Sequence, residues 1–261
     1  MNAGLKELPI IQSLWIGEEL SLMERLSIAS FLQNGHPFHL YAYNDVRNVP
    51  EGVVVKDAGE LIPADRIFKY KDRDTYAGFS NVFRYKLLLE RGNYWVDTDV
   101  VCLRPFSSDG DYVFAKSKRI AEEGGREIPF WIESCVIKVP PGADVMNYCY
   151  EESVRRNPKE LNFGDIGPGL LEAGLNKFKL EKYIAEPEVY CPVAYTDWNR
   201  VISGSPVISW IEQAKMLFRR SMGLHLWNEM WRENQIDKNK PFPYVSIYES
   251  LKRRYLKDEI L

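Results

Sequence analysis

A helical pattern followed at once by an apolar strand pattern, between residues 79 and 101, most constrains the fold of this 261-residue chain. We predict a helix over Ser80–Glu90, which Gly92 ends directly after Arg91. The next stretch, GNYWVDTDVV, is an apolar run typical of a buried strand. A tight turn must therefore join the two elements. The helix side chains that fall at helical spacing and form its buried stripe are Phe79, Val82, Phe83 and Leu87.

Strand and helix patterns also alternate along the rest of the chain. This alternation predicts an α/β fold, with a mostly parallel sheet flanked by helices and sites at the carboxyl ends of the strands. We expect a domain over residues 1–236 and a C-terminal helical appendage over residues 237–261, packed on the domain or extending it. The expected strands are Pro9–Ile16, Phe38–Tyr43, Val53–Lys56, Tyr112–Lys116 and Glu133–Val139, with a short apolar element at Leu224–Trp227. The other expected helices are Glu24–Asn34, Ala143–Arg155, one from Leu170, and Ser209–Met222.

Composition limits the partners and the cellular location that we expect for the protein. The chain has 34 basic and 37 acidic residues, so it offers no basic footprint for a nucleic acid. Its four cysteines are scattered without a C-x-x-C pair, which predicts reduced thiols rather than a zinc site or a disulfide framework. The opening MNAGLKELPIIQSLW lacks the apolar segment of a signal peptide, and no run approaches the ~18 apolar residues of a membrane span. We expect a cytoplasmic protein. Any contact with the membrane is expected to be peripheral and at its inner face. For the basic run LKRRYLK in the tail, a solvated helix face is favoured over that contact.

Asp97 and Asp99 end the apolar run, one residue apart. In an extended chain these two positions point to the same side, and Thr98 points to the other. Two like charges repel each other, and they are tolerated most easily when a divalent cation lies between them or one carries a proton. The pair predicts metal-dependent chemistry on a phosphorylated or diphosphate substrate, or carboxylate catalysis. Arg84, on the helix before the strand, is expected to reach the same cleft.

The block SNVFRYKLLLERGNYWVDTDVVCLRPF resembles the DXD region of GT-A glycosyltransferases, in particular the capsular-polysaccharide (family 32-like), α-galactosyl/α-mannosyl and clostridial-toxin-type sugar transferases. IIQSLWIG resembles their opening strand, Gly164–Gly169 their Gly-Pro turn, and HLWN from His225 their C-terminal histidine element. The resemblance implies a GT-A-type, Rossmann-like fold and a metal-dependent, retaining hexosyltransferase of surface polysaccharide biosynthesis. Two positions depart from the family pattern. Asn81 replaces the usual Asp, so the resemblance does not determine the identity of the donor sugar. Asn93 replaces the second Gly of a turn.

The resemblance also implies a role for each candidate site residue. Asp99 would bind Mn²⁺ or Mg²⁺ directly, Asp97 would hold the donor ribose and the metal, and His225 would complete the metal shell. Arg84 would contact the donor sugar or phosphate, and Trp15 would stack on the nucleobase. The other residues implied at the donor are Ser80, Asn81, Trp227 and Asn228, and those implied at the acceptor or reacting centre are Asp165 and Gly167. The implied partners are a UDP- or GDP-sugar donor and a glycan or lipid-linked acceptor.

Other interpretations of the same residues stay open. A haloacid-dehalogenase-like phosphatase also has Asp-x-Asp after an apolar strand, with Asp97 as nucleophile and Asp99 as acid/base. Almost a hundred residues precede the motif here, and no convincing lysine and paired aspartates follow it. A non-catalytic nucleotide-sugar binder is the third possibility, and Asn81 supports it. Trp15 could instead be a core residue, His225 a structural one and Asp165 a turn residue. Because no unambiguous nucleophile is found, retention would proceed by same-face attack.

Overall fold

A six-stranded sheet forms the centre of the protein in the computed structural model, which describes residues 7–118 and 130–257. Its strand order is β3-β2-β1-β4-β7-β6, and β5 pairs with β8 in a separate two-stranded sheet. Strands β3, β2, β1 and β4 run parallel, whereas β7 pairs antiparallel with both β4 and β6. The strands are β1 Ile11–Trp15, β2 Phe38–Ala42, β3 Val53–Asp57, β4 Asn93–Val96, β5 Val100–Cys102, β6 Val113–Lys118, β7 Phe130–Val139 and β8 Gly223–His225.

Helices cover both faces of the central sheet. Helices α2, α3 and α4 pack together on one face, and α1 and α8 pack together on the other side of the molecule. Alternate strand residues supply the two cores: Trp95 points into the α2 side, while Tyr94 and Val96 point away from it. The helices are α1 Leu22–Gln33, α2 Ala77–Arg91, α3 Asp144–Val154, α4 Pro168–Phe178, α5 Pro187–Tyr190, α6 Pro206–Phe218, α7 Asn228–Glu233 and α8 Ile247–Tyr255.

This architecture confirms the predicted α/β fold with a mostly parallel sheet flanked by helices. All four residues of the predicted stripe on α2 are buried, and Gly92 ends that helix with a φ of 60°. The sequence did not predict the short helices α5 and α7 or the 3-10 turns over Tyr195–Ile202, because none of them shows a repeated apolar spacing. None of the helices in the described part of the chain is both long and apolar enough to cross a bilayer.

The prediction that the chain is extended across the two aspartates at the strand end is wrong. Strand β4 ends at Val96, and residues 97–99 form a turn that the bond from the Val100 amide to the Asp97 carbonyl closes at 3.0 Å. Because the chain turns there, Thr98 lines the same cavity as its neighbours rather than facing away. The two carboxylates converge through a turn and not through the period of a strand.

The C-terminal helix packs on the rest of the domain. The Tyr255 hydroxyl donates to the Cys102 carbonyl at 3.0 Å, and Gln33 of α1 donates to the Tyr255 carbonyl at 2.7 Å. Lys252 and Tyr255 are buried, so the expectation of a solvated face fails for these two residues of the basic run. The predicted boundary at residue 237 stays a prediction, and residues 258–261 of the tail lie outside the described residues.

Candidate active site

A cavity of about 710 Å³ opens at the carboxyl ends of β1 and β4. Trp15 is the last residue of β1, and Asp97 directly follows β4. Because the two strands are parallel neighbours, their carboxyl ends lie at one edge of the sheet, where α/β proteins place their ligands. The volume is that of a typical small-molecule site. Nine of the predicted site residues line it: Trp15, Ser80, Asn81, Arg84, Asp97, Asp99, His225, Trp227 and Asn228.

The turn between α2 and β4 brings Arg84 to Asp97. Gly92 makes this turn possible, because a β-carbon there would lie 2.5 Å from the Pro141 backbone nitrogen. The Arg84 Nη2 donates to Asp97 Oδ1 at 2.6 Å, and its guanidinium lies over the Trp95 ring at 4.8 Å. The Trp95 indole N–H donates to the same carboxylate oxygen at 2.8 Å. Asp97 is therefore held in one orientation by a cation and an indole.

Asn81 takes part in the same network. Its Oδ1 accepts a hydrogen bond from Arg84 Nη1 at 2.8 Å, so Arg84 is fixed at both ends of its guanidinium. The Arg84 Nε is buried without a hydrogen-bond partner among the described residues. Arg84 thus keeps an unused donor at the wall of the cavity, and a buried donor of this kind favours an anionic or carbonyl oxygen from a ligand.

The two-stranded sheet brings Asp99 to His225. Val100 of β5 pairs with His225 of β8, and the Leu226 amide donates to the Asp99 carbonyl at 2.9 Å. The Asp99 Oδ2 lies 3.2 Å from His225 Nε2 and accepts from the Asn228 amide at 2.8 Å. The carboxylate is buried, so these contacts determine its direction.

Asp97, Asp99 and His225 offer ligand atoms that all lie within 4.8 Å of one another. Carboxylate oxygens with one imidazole nitrogen suit Mn²⁺ or Mg²⁺, which keep waters and substrate phosphates in the remaining positions. The buried His225 Nδ1 has no hydrogen-bond partner among the described residues, whereas its Nε2 faces Asp99. The donor set therefore fits a divalent cation, with Nε2 as the ring nitrogen on the carboxylate side.

Ionisation of these groups follows their surroundings. Burial, with the adjacent Asp99 charge, raises the pKa of Asp97 against the attraction of Arg84. Burial acts to raise the pKa of Asp99, but the His225 charge and the hydrogen bonds from His225 and the Asn228 amide lower it overall. Burial acts to lower the pKa of His225, yet the Asp99 carboxylate raises it well above the usual value. A cation that binds His225 must displace this proton, since only the neutral ring is a ligand.

Aromatic residues and Asn228 complete the predicted donor side. Trp15 is half-buried, and its indole nitrogen is shielded without a hydrogen-bond partner among the described residues. Trp227 packs against the His225 ring at 4.0 Å, and its indole donates to the Val193 carbonyl at 2.9 Å, which gives it a structural role. The amide N–H of Asn228 orients Asp99, while its side-chain oxygen accepts from Lys238 at 3.1 Å.

Two predicted residues do not belong to the cavity wall. Asp165 is exposed, and its Oδ2 accepts from the Asn162 amide at 2.8 Å within its own turn. This is the turn role that short acidic side chains often take, so a role at the acceptor has no support in the geometry. Gly167 lies behind the wall, where a β-carbon would come within 3.2 Å of Asn81 Nδ2. Its contribution is room for Asn81.

Tyr70 and Glu133 line the cavity although the sequence interpretation missed both. The Tyr70 hydroxyl is buried, and it has no partner within normal hydrogen-bond geometry among the described residues. Glu133 lies on β7 and accepts from the Ser117 hydroxyl at 2.6 Å, and burial raises its pKa. A single acid within the apolar run FWIESCVIKV could have indicated Glu133, whereas Tyr70 lies in a loop without a periodic signal.

The structure also brings together two cysteines that are far apart in sequence. The Cys135 and Cys191 sulfur atoms lie 3.8 Å apart, both buried, and with His225 they form a second group of potential metal ligands within 4.8 Å. Burial raises the pKa of the Cys135 thiol well above its usual value, which keeps it protonated. The two residues are thus scattered in sequence but close in space, and all four cysteines are free.

Comparison with known proteins gives one curated relative and several distant structures. The chain is 22% identical over 169 residues to a human alpha-1,4-N-acetylglucosaminyltransferase, a match that covers 60% of this chain and 44% of the relative. The chain thus spans less than half the length of that relative. PaToxG glycosyltransferase superposes with a TM-score of 0.45 at 10% identity, over 96% of this chain and 88% of that chain. The apo-form glycosyltransferase GlyE of Streptococcus pneumoniae TIGR4 gives 0.40 at 11% identity, over 98% and 64%. No family model matches the chain.

Proposed function

We propose that this protein is a metal-dependent glycosyltransferase that moves a hexose from a nucleotide-diphosphate sugar to a glycan or lipid-linked acceptor. One observation carries the proposal. Asp97, Asp99 and His225 present ligand atoms within 4.8 Å of one another in the wall of a cavity that Arg84 and Trp15 also line. The name of the curated human relative supports the same class of reaction.

The chain's own residues account for donor binding. The half-buried Trp15 ring offers a stacking surface for a base, and Arg84 offers its unpaired Nε to a phosphate or sugar oxygen. Asp97, Asp99 and His225 would hold Mn²⁺ or Mg²⁺. When bound, the cation neutralises the charge that grows on the departing diphosphate. Arg84 and Trp95 keep Asp97 from rotating away, so the site is arranged before the donor binds.

The outcome at the anomeric carbon depends on whether a carboxylate can attack it. We propose retention by same-face attack, in which the acceptor oxygen approaches on the side that the diphosphate leaves. The wall carboxylates Asp74, Glu229 and Glu233 pair with basic side chains. Glu133 also lines the cavity outside the cation ligand set, and its raised pKa makes it a poor nucleophile. A trapped covalent adduct of the sugar on Glu133 would contradict same-face attack.

The geometry argues against the phosphatase interpretation. There, Asp97 would have to attack phosphorus, but its Oδ1 accepts hydrogen bonds from both Arg84 and Trp95. No lysine lines the cavity in the described part of the chain, although such a phosphatase needs one. Activity on a generic phosphomonoester is therefore not expected.

Asp99→Ala tests the proposal. We expect it to abolish Mn²⁺-dependent release of UDP or GDP from nucleotide sugars, and to remove Mn²⁺ binding measured by electron paramagnetic resonance. Asp99→Asn keeps an oxygen for the Asn228 amide and should lose the same activity without loss of the fold. The matched control is Asp65→Asn, an acid-to-amide change on an exposed 3-10 turn. Full activity in either Asp99 variant would remove the metal role, and tight donor binding without turnover by the unmodified chain would make it a non-catalytic binder.

A further inference from the structure

Helix α6 turns its apolar side to solvent. Ser209, Glu212 and Met216 are the buried residues of this helix, and two of these three are polar. The exposed apolar side chains recur at spacings of three, four and seven residues, so they lie on one side of the helix. We call these residues the outer stripe: Val207, Trp210, Ile211, Leu217 and Phe218, with exposed fractions of 63%, 71%, 38%, 66% and 85%.

The outer stripe borders a groove of about 800 Å³ that lies apart from the candidate active site. Tyr244 and Val245, which are 75% and 40% exposed, extend the apolar surface on the far side of the groove. Monomeric proteins rarely leave a contiguous apolar surface of this kind uncovered, whereas binding surfaces do so.

Positive charge surrounds the same groove. Arg104, Arg253 and Arg254 line it, and Arg219 and Arg220 directly follow the last residue of α6. Across residues 7–118 and 130–257, none of these five arginines pairs with a carboxylate within 4.0 Å, and no acidic residue lines the groove. The chain as a whole carries a net charge of −3, so this basic rim is a local feature.

We propose that the outer stripe and its basic rim dock the protein on an anionic phospholipid bilayer. Exposed Trp, Phe and Leu side chains enter the boundary between headgroups and acyl chains, and arginines beside them attract anionic headgroups. The combination favours a lipid surface over a purely apolar partner, since the rim charge requires an anionic surface.

A short stretch of chain connects the groove with the active-site cavity. Ser221 lines the groove and His225 lines the cavity, and strand β8, which ends at His225, connects the two positions. Four residues of chain span at most about 14 Å. A bilayer at the groove would therefore lie close to the candidate active site. Docking itself needs no sugar transfer, so it stands or falls independently of the proposed function.

Co-sedimentation of the full chain with vesicles tests the docking. Vesicles of phosphatidylcholine with about one third phosphatidylserine should bind the protein, and vesicles of phosphatidylcholine alone should bind it at least tenfold more weakly. The double substitution Trp210→Ser with Phe218→Ser should lower the binding constant about tenfold or more, because it removes the two most exposed aromatic side chains of the stripe. Arg219→Glu with Arg254→Glu should lower it by a similar factor.

Matched controls lie outside the groove. Val54→Ser with Val55→Ser removes exposed apolar side chains from β3, and Lys159→Glu with Lys182→Glu reverses two exposed charges. Both should bind vesicles like the unmodified chain, and all variants should keep its melting temperature. Equal binding to both vesicle types, or no binding to either, would overturn the proposal. So would a dimer in analytical ultracentrifugation that Trp210→Ser dissociates, since a second copy would then cover the stripe.

Discussion

Arg84 is the residue that joins the helix α2 to the aspartates. It donates to Asn81 and Asp97 with separate nitrogens and lies over Trp95, so its position depends on three side chains. Asn81 stands where the resembling family has Asp. Its neutral amide leaves Asp97 as the only carboxylate bonded to this guanidinium among the described residues, while its Nδ2 faces the space that Gly167 leaves free.

Asn81→Asp should change catalysis more than stability. The new carboxylate keeps the acceptor for Arg84, but it adds a negative charge to the cavity wall and loses the Nδ2 donor. We expect the ratio of kcat/KM between two UDP-sugars to change about tenfold, while the free energy of unfolding changes by about 1 kcal/mol or less. Steady-state kinetics and urea unfolding measure the two effects. Asn44→Asp at an exposed site is the control, and unchanged rate and donor preference in the Asn81 variant would place Asn81 outside the donor pocket.

At the scale of elements, the sequence predicts what local periodicity controls. The helix α2, its stop at Gly92 and the apolar strand after it follow from the spacing of residues that are neighbours in the chain. The pairing of β5 with β8 does not, because Val100 and His225 are far apart in sequence and no local pattern links them. The placement of His225 beside Asp99 was therefore predictable only through the resemblance.

The direction in which an amphipathic helix faces is the other feature that the sequence leaves open. The apolar spacing of α6 predicts a helix, and an apolar stripe ordinarily faces the core. Here the opposite face packs inward, with buried Glu212 paired to Arg200 at 2.8 Å and to Lys215 at 3.0 Å. Only the tertiary structure reveals that Glu212 takes the inner position and leaves the apolar stripe outside.

An ion pair connects the start of α1 with the start of α7. Glu24, fully buried, closes the capping box of α1 by accepting from the Ser21 amide at 2.8 Å, and it also pairs with Lys238. Lys238 also donates to the side-chain oxygen of Asn228. The backbone amide of Asn228 donates in turn to the Asp99 carboxylate. The elements under the active site are thus coupled through one lysine.

Lys238→Met should destabilise the protein, because it leaves the buried Glu24 carboxylate without its cation. We expect the free energy of unfolding to fall by about 2–4 kcal/mol in urea titrations. Adding Glu24→Gln should restore part of this loss, since the double variant buries no unpaired charge. Lys240→Met, at an exposed neighbouring position, is the control. Equal urea midpoints for the Lys238 and Lys240 variants would show that the pair contributes nothing.

At the scale of the whole molecule, the cavity is assembled from distant parts of the chain. Strands β1 and β4, helix α2, strand β8 and helix α7 all contribute to its wall. Arg73, from the loop before α2, reaches Glu229 of α7 at 3.0 Å across the rim. A ligand in the cavity would contact elements from both ends of the sequence, so its binding must oppose unfolding of the entire domain.

Nucleotide-sugar binding should therefore raise the melting temperature, and only when a divalent cation is present. At a UDP-sugar concentration of about 100 times Kd, mass action stabilises the folded state by ~2.7 kcal/mol. For a domain of this size, that corresponds to a shift of roughly 5–10 °C. Differential scanning fluorimetry with Mn²⁺ and with EDTA measures it, over a series of UDP- and GDP-sugars. Asp99→Asn should lose the cation-dependent part of the shift. An equal shift in EDTA would remove the cation from donor binding, and no shift with any nucleotide sugar would contradict the proposed donor class.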